Sequence, residues 1–361
     1  MNAVALLVGT KKGAFVLRSD RSRESWSIDG PLFKGWEVFE LTADPRVEGK
    51  WLAATGHFVY GSCVQISNDS GESWQQVEAS PAYSKDAGFE LKNIWCIQPS
   101  TAEEPGVYYA GVDQAGLFRS EDGGHSWELL DGLSGHASRS EWMEGAGGLC
   151  CHCVRIDPKD PDRLWTGISA VGVFRSDDRG KTWQLRNEGL PVVIPSKEHP
   201  GIGSCVHGLA LDPQNSNRLF QQNHQGVYRS DDGGDHWQRI ENGLKEKQFG
   251  FPIALDPHDP DTVFIVPQES DEFRHAADGK LTVCRSRDGG DSWQPLRNGL
   301  PDHCFTGVLR KAMCTDTCAE TGVYFGTANG QICYSRNAGE EWQILPFTLP
   351  RIFSISAITE A

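Results

Sequence analysis

The stretch Ser176-Asp-Asp-Arg-Gly-Lys-Thr-Trp183 decides the fold, because the chain repeats it. Its frame, Ser-x-Asp-x-Gly-x-(Ser/Thr)-Trp, recurs at 67–74, 120–127 and 286–293, and at 230–237 with His236 in the hydroxyl position. Two copies are degraded: the copy at 335–342 has Asn337 in place of Asp, and the copy at 19–26 keeps its first Ser, Ser25 and its Trp. The copies lie about 50 residues apart, a period typical of stacked structural repeats. The 361 residues therefore hold seven repeats.

The residue types of the frame predict a stapled turn between two strands. The segment before it, 172–176, is β-like, and the Asp then bonds nearby backbone amides while the Gly supplies a positive φ. The Trp begins the returning strand and packs its ring under the turn. A turn needs these residues in every copy and a single active site does not, so their role is structural.

This frame resembles the Asp-box, or BNR, repeat of the sialidase-like β-propellers. That group also includes the sortilin ectodomain, oligoxyloglucan-type glycosidases and photosystem II assembly factors. The resemblance covers the whole chain and implies the propeller fold. It implies no single activity, because the group holds enzymes and pure binding proteins alike.

Four strands are predicted in each repeat. In the fourth repeat these are strand A at 149–156, B at 163–168, C at 172–176 and D at 182–186. An Asp-Pro turn follows strand A here and in other repeats, and proline marks strand ends because it cannot continue a ladder. The predicted fold is all-β: one domain over 1–361, a seven-bladed β-propeller with four-stranded antiparallel blades.

The two ends of the chain predict how the propeller closes. Segments 4–9 and 13–18 read as strands B and C of a blade whose strand A is missing. Segment 351–358 follows the last strand D and has no partner of its own. The C-terminal strand A is therefore expected to join the N-terminal strands B–D, which removes an open sheet edge.

Composition narrows the classes of partner. The formal net charge of −15 argues against nucleic acid and against an anionic membrane surface. The N-terminus lacks a basic region, and no segment approaches membrane-spanning length. The eleven cysteines show no paired CxxC spacing typical of structural zinc. These features predict a reduced, cytoplasmic protein that acts on a small molecule, and they leave its oligomeric state open.

The residues outside the repeat gather in the D–A and B–C connections and at the inner strand ends. Long irregular loops on a rigid scaffold usually carry function, so these connections predict a site at one face, opposite the Asp boxes. The predicted catalytic residues are Glu141, Glu144, His152 and His207. The predicted substrate-binding residues are His57, Tyr60, Trp95, Arg139, Trp142, Asn223, Phe251, Arg274 and Arg310.

Three histidines predict a metal site as one alternative. His152 and His207 each stand five residues before an Asp-Pro turn, so neighbouring blades would bring them to one rim of the channel, with His224 as a third ligand. Such a set would hold a divalent metal such as zinc, manganese or iron and leave a position open. The alternatives are metal-free catalysis or ligand binding, and histidines that only bond loop carbonyls.

Carboxylates predict a glycosidase-like site, since glycosidases need two carboxyl groups across the scissile bond. The candidates are Glu90, Asp113, Glu141, Glu144 and Glu269. Arg139, Arg274 and Arg310 would hold an anionic group. The Arg-Ile-Pro segment of sialidases is absent and their Tyr-Glu pair cannot be located, so sialidase residues are not carried over. We expect a hydrolase or lyase; the alternative is a non-catalytic binding or assembly-factor scaffold.

Overall fold

The computed structural model of this chain describes residues 2–88, 90–245 and 248–360, and strands dominate them. The strands are β1 (Ala3–Thr10), β2 (Gly13–Ser19), β3 (Trp26–Leu32), β4 (Glu37–Ala43), β5 (Trp51–His57), β6 (Gly61–Ser67), β7 (Gln75–Gln76), β8 (Ile94–Pro99), β9 (Tyr108–Val112), β10 (Leu117–Ser120), β11 (Glu128–Leu129), β12 (Cys151–Asp157), β13 (Asp160–Ile168), β14 (Gly172–Ser176), β15 (Gln184–Leu185), β16 (Val206–Leu211), β17 (Leu219–Asn223), β18 (Gly226–Ser230), β19 (Gln238–Arg239), β20 (Gly250–Leu255), β21 (Val263–Pro267), β22 (Val283–Ser286), β23 (Gln294–Leu296), β24 (Val308–Thr315), β25 (Val323–Thr327), β26 (Ile332–Ser335), β27 (Gln343–Ile344) and β28 (Ile352–Glu360).

Helices are short. One α-helical turn, α1, spans Asp131–Ser134, and three 3₁₀ turns span Lys85–Ala87, Arg139–Glu141 and Ala277–Gly279. Within the described ranges, no helix has both the length and the apolar character needed to cross a membrane.

The strands pair in consecutive groups of four. Five four-stranded sheets contain β4–β7, β8–β11, β12–β15, β16–β19 and β20–β23. A sixth sheet has the order β27-β26-β25-β24-β28-β1-β2-β3. Its two halves meet at one parallel bridge, Lys311 with Ser354, so it consists of two groups of four strands. The predicted all-β fold with four-stranded antiparallel blades is confirmed, and the count of seven blades stays a prediction.

The predicted joining of the two chain ends is confirmed. Strand β28 pairs with β1 in antiparallel register, with Ala5 opposite Ile358 and Val8 opposite Ile355. The order β28-β1-β2-β3 is that of strands A, B, C and D in one blade. The backbone groups of β1 that would otherwise form an open edge are therefore paired by the last strand of the chain.

Strand boundaries in the fourth repeat differ from the prediction at both ends. Strand β12 begins at Cys151 and not at 149, and β13 already begins at Asp160, inside the predicted Asp-Pro turn. Strand β15 is only Gln184–Leu185, two residues where five were expected. The reason is local, because the backbone N–H of Thr182 donates to the Asp178 carboxylate and so belongs to the turn.

The Asp box forms the predicted stapled turn. The Ser176 hydroxyl donates to Oδ1 of Asp178 at 2.8 Å and accepts the backbone N–H of Gly180 at 2.8 Å. The Thr182 hydroxyl donates to Oδ2 of Asp178 at 2.6 Å. Gly180 has a φ of +83°, in the region that favours glycine. Because these bonds are local, the same turn forms wherever the eight-residue frame is present.

The tryptophans of the Asp boxes fulfil the prediction in some copies and depart from it in others. The indole N–H of Trp183 donates to the Gly180 carbonyl of its own turn at 2.9 Å. The indole of Trp237 instead donates to the Arg186 carbonyl at 2.8 Å, in the preceding repeat. The indole of Trp237 therefore joins two consecutive repeats.

The Cα positions group the chain into two compact units. Unit A comprises Met1–Leu41, Phe220–Arg229 and Gln238–Ala361, and unit B comprises Thr42–Leu219 and Ser230–Trp237. Unit A has a core that includes Leu6, Phe264 and Phe325. Unit B has a core that includes Tyr109 and Phe174. The assignment of 1–361 to a single domain stays a prediction.

Candidate functional site

A buried carboxylate lies at the end of a strand in unit B. Strand β9 ends at Val112, and Asp113 opens the connection to β10 with only 6% of its surface exposed. The next two residues, Gln114 and Ala115, have φ of +59° and +46°, in the left-handed region that non-glycine residues rarely adopt. Strained turns of this kind concentrate at functional sites because the surrounding structure must hold them.

Two side chains hold both oxygens of the Asp113 carboxylate. The indole N–H of Trp95 donates to Oδ1 at 2.5 Å, and the amide of Asn93 donates to Oδ2 at 2.7 Å. The pairing of β8 with β9 shifts register between Ile94 and Cys96, so Trp95 is the extra residue of a bulge. A bulge redirects a side chain out of the regular alternation, and here it directs the indole to the carboxylate.

Burial raises the pKa of Asp113 above the ordinary value of an aspartate, although the hydrogen bonds from Trp95 and Asn93 act in the opposite direction. A carboxyl group in a poorly solvated position keeps its proton to higher pH than an exposed one. Glycosidases use such a group as general acid, because it can deliver a proton near neutral pH.

The 139–144 segment packs onto the turn that follows Asp113. The Arg139 guanidinium donates to the Gln114 carbonyl at 2.5 Å and lies 4.8 Å from the ring centroid of Trp142. The Trp142 indole donates to the Ser138 hydroxyl at 2.9 Å. Burial lowers the pKa of Arg139. The predicted residues Trp95, Arg139 and Trp142 thus lie around one turn.

The two predicted catalytic glutamates have different surroundings. Glu144 is exposed, and its carboxylate accepts the Gln114 amide at 3.4 Å. Glu141 accepts the hydroxyl of Ser196 and the backbone N–H of Lys197, and these bonds lower its pKa, with the Ser196 hydroxyl the larger cause. Glu141 therefore holds two loops together and is poorly suited to give up a proton as a general acid, whereas Glu144 is free of that loop contact.

The predicted residues His57 and Tyr60 lie on the β5–β6 hairpin of unit B. Their rings stack with centroids 4.8 Å apart, and the Phe58 ring also stacks on His57 at 4.7 Å. Phe58 is 96% exposed and Tyr60 is 76% exposed. The hairpin tip is thus a small aromatic surface that faces solvent.

The histidines predicted to bind metal have unequal access. Both ring nitrogens of His152 are engaged: Nδ1 lies 3.0 Å from the Cys153 sulfur and Nε2 lies 3.0 Å from the Val206 carbonyl. His207 is also buried, and one of its ring nitrogens lies within 4.8 Å of the Cys205 sulfur. Cys205 is therefore a better candidate than His152 to bind a metal together with His207.

Unit A brings together three other predicted residues. The guanidinium carbons of Arg274 and Arg310 lie 5.7 and 5.1 Å from the Phe251 ring centroid. His224 contacts the Phe249 ring edge-on, with centroids 5.4 Å apart, and Phe249 in turn contacts Phe251 at 5.3 Å.

The predicted substrate-binding residue Asn223 has a different position. It is fully buried, and its amide donates to the Gln221 side chain at 2.7 Å. Its side-chain oxygen accepts the backbone N–H of Gln225 at 3.2 Å. These contacts shape the β17–β18 turn, and substrate binding by Asn223 stays a prediction.

Comparison with known proteins places the chain among propellers. A family model described as "Sortilin, neurotensin receptor 3" matches residues 171–320. A xyloglucanase of Hypocrea jecorina is 30% identical over 253 residues, which cover 67% of this chain and 25% of that protein. The solved GH74 enzyme of Niastella koreensis aligns with a TM-score of 0.59 at 14% identity, covering 96% of this chain and 65% of that one. The chain thus spans about a quarter of the length of the curated xyloglucanase.

A third comparison finds the same fold in a protein that was solved with a bound peptide. The structure titled "YCF48 bound to D1 peptide" aligns with a TM-score of 0.50 at 15% identity, covering 80% of this chain and 77% of that one. The chain has the fold of the sialidase-like β-propellers, with Asp-box turns. For such a propeller these likenesses give the fold, and function must come from the site.

In this Asp-box propeller the sequence pointed to most residues around Asp113 but not to its central role. Asp113 appears among the candidate carboxylates, yet the predicted catalytic residues omit it. One signal was available, because Asp113 follows a predicted strand and stands in a B–C connection with a turn of its own. Its burial and its bonds from Trp95 and Asn93 were not visible, since they depend on the pairing of β8 with β9.

Proposed function

We propose that this propeller is a glycoside hydrolase that uses Asp113 as its general acid. The observation that carries the proposal is the buried carboxyl of Asp113, with raised pKa and with both oxygens held by Trp95 and Asn93. The likeness to a xyloglucanase supports a carbohydrate substrate. A β-linked glucan oligosaccharide is the class we favour.

The proposed reaction is hydrolysis with two carboxyl groups. Asp113 would give its proton to the glycosidic oxygen as the bond from that oxygen to the anomeric carbon breaks. A water molecule would add to the anomeric carbon and lose a proton to a carboxylate on the other side of the sugar. Glu144 is the candidate for that base, because it is exposed and bonded to Gln114, the neighbour of Asp113.

The aromatic and cationic groups near this turn would bind and orient the sugar. The Trp95 ring, half-buried, offers an apolar face of the kind on which pyranose rings stack. Arg139 lies against Trp142 and would donate hydrogen bonds to sugar hydroxyl groups. His152 and His207 were predicted to be catalytic; in the present proposal they stay outside the proton transfer.

The direct test is hydrolysis of a panel of glucan and xyloglucan oligosaccharides by the wild type and by Asp113→Asn. We expect the variant to bind the substrate and to lose about 10² to 10⁴ in kcat. Asp86→Asn, at an exposed aspartate of the same unit, is the matched control and should keep full activity. Equal hydrolysis by the wild type and Asp113→Asn would refute the assignment.

The alternative, a non-catalytic binding scaffold, has one observation in its favour. The β5–β6 hairpin exposes Phe58, Val59 and Tyr60 at 96%, 62% and 76%, and exposed apolar groups of this kind often contact a partner. YCF48, a protein with a similar fold, has been solved with a bound peptide. A wild type that hydrolyses no glycan but binds a polypeptide through this hairpin would favour the scaffold.

Metal binding is a separate proposal, with Cys205 and His207 of unit B as donors. A thiolate with an imidazole suits zinc better than manganese, because soft sulfur ligands favour zinc. Bound zinc would supply Lewis-acid chemistry at an open position. His152 leaves the predicted ligand set, since its ring nitrogens contact Cys153 and Val206.

A further inference from the structure

A pocket of about 300 Å³ lies within unit A. Its lining includes His224, Phe249, Glu269 and Asp271. His224 Nε2 lies 3.4 Å from Oδ2 of Asp271. The pocket therefore offers an aromatic surface together with groups that bond hydroxyls.

Two arginines pack against one buried phenylalanine next to the pocket. Phe251 is 3% exposed, and its ring contacts the Phe249 ring that lines the pocket. The guanidinium carbons of Arg274 and Arg310 lie 5.7 and 5.1 Å from the Phe251 centroid. Two guanidinium groups are thus held against a single buried ring next to the pocket.

The 270–275 loop connects the two ends of the site. The Arg274 guanidinium donates to the Asp271 carbonyl at 2.8 Å, so the residue that lines the pocket also orients the arginine. Arg274 has a φ of +51°, a conformation that a bulky residue adopts only where its surroundings hold it. Glu269 is fixed in the same loop, because its backbone N–H donates to the His275 carbonyl and its carboxylate accepts the N–H of Asp278.

We propose that this pocket binds a carboxylate-bearing sugar, a hexuronic acid unit within an oligosaccharide. Arg274 and Arg310 would bind the carboxylate, because a guanidinium matches its geometry with two parallel hydrogen bonds. The Phe249 ring would contact the apolar face of the pyranose, and Glu269 and Asp271 would accept hydrogen bonds from its hydroxyl groups. The assignment of the ligand as a sugar rests on the proposed carbohydrate function.

The charges of the pocket favour a carboxylate over a phosphate. Glu269 and Asp271 place two acidic side chains in the lining of the pocket, on a protein of net charge −15. A dianionic phosphate would feel about twice the repulsion from those carboxylates that a uronate feels. A singly charged carboxylate is attracted by the two guanidinium groups and is repelled less by Glu269 and Asp271 than a phosphate is.

The test is calorimetric titration with a glucuronic-acid-containing oligosaccharide and with its carboxyl-reduced form, which differs only in that one group. We expect the wild type to bind the acidic form about tenfold more tightly, the worth of one charge-assisted contact. Arg310→Gln and Arg274→Gln should each remove this preference and leave the affinity for the reduced form within about twofold. Arg297→Gln, at an arginine of unit A that is paired with Asp302, is the matched control and should keep the preference.

Three outcomes separate this inference from the proposed hydrolase. Equal binding of the two oligosaccharides by the wild type overturns the uronate site, as does a preference that persists in both Arg274→Gln and Arg310→Gln. Arg274 is exposed, so its variant stays informative if the half-buried Arg310 is needed for folding. Asp113→Asn should keep the preference, because Asp113 is not a lining residue of the pocket. Uronate binding without any hydrolysis would refute the enzyme and retain the site.

Discussion

The indole N–H of Trp95 lies 2.5 Å from Oδ1 of Asp113, and the carboxyl group it contacts is almost wholly buried. The bond links a bulge in β8 to the first residue after β9. It also stabilises the charged form of a group whose burial favours the neutral form. Trp95 is therefore a positioning residue that both orients the proposed acid and limits the rise of its pKa.

Replacing Trp95 by Phe should change the pH profile as well as the rate. The variant loses the hydrogen bond that lowers the pKa of Asp113, so that pKa should rise further. In a bell-shaped profile the general acid sets the alkaline limb, which should move to higher pH, while kcat falls about tenfold through lost orientation. The measurement is kcat against pH for glycan hydrolysis. A lower rate with an unmoved alkaline limb would contradict the role in tuning Asp113.

The chain contains its own control for the Asp-box turn. In the last copy Asn337 replaces the aspartate, and its side-chain oxygen still accepts the backbone N–H of Glu341 at 3.0 Å. We therefore expect Asp178→Asn to cost little, and Asp178→Ala to lower the free energy of unfolding by about 2 kcal/mol through lost hydrogen bonds. Denaturant unfolding measures both. Equal destabilisation by the two variants would mean that charge, and not hydrogen bonding, holds the turn.

Acid should weaken the Asp boxes in a defined pH window. The hydroxyl of Ser73 is the largest cause that lowers the pKa of Asp69 to about 2, below the unfolded value of about 3.9. A carboxyl whose folded pKa is depressed contributes stability above about pH 4 and loses it as pH falls through about 2. Thermal unfolding from pH 6 to pH 2 should show the wild type losing stability below about pH 4, with a smaller loss in Asp69→Asn, which has no carboxyl group to protonate at this position. Glu72→Gln, an exposed change in the same turn, should follow the wild type throughout.

The joining of the chain ends should be sensitive to the buried face of β28. Ile352 is fully buried in the core of unit A, on the strand that pairs with β1. Ile352→Ala should lower the free energy of unfolding by about 2 to 5 kcal/mol, because it removes apolar contact and leaves a cavity. Glu360→Ala, at the partly exposed end of the same strand, should change it by less than about 0.5 kcal/mol. Equal stability of the two variants would argue against β28 as a core strand.

Metal content tests the proposed donor set. Elemental analysis of the purified protein should find about one zinc per chain in the wild type and none in the Cys205→Ser/His207→Ala variant. Cys63→Ser, at a buried cysteine of unit B that contacts Thr55, is the control and should keep the metal. Cobalt substitution adds a second readout, because a thiolate ligand gives an intense near-ultraviolet absorption band. A wild type without stoichiometric metal would end this proposal.

Whether the structure matched a predicted role depended on how far apart in the chain the contacting residues lie. Trp95, Arg139 and Trp142 were predicted among the substrate-binding residues, and they lie around one turn, while their binding of substrate stays a prediction. Glu141 was predicted as an acid or base, but its carboxylate bonds Ser196, 55 residues along the chain. No spacing in the sequence reveals such a partner, because loop-to-loop contacts carry no period. The placing of loops on two opposite faces stays a prediction.

The repeat by itself determined the all-β class, the four-stranded sheets and the Asp-box turns. The bonds that form each turn lie within eight residues, so a short segment contains all the information that it needs. The tertiary structure alone decided which carboxyl group is buried and which indole joins two repeats, as Trp237 does with Arg186. Desolvation and long-range hydrogen bonds depend on groups brought together by strand pairing, and no local pattern encodes that pairing.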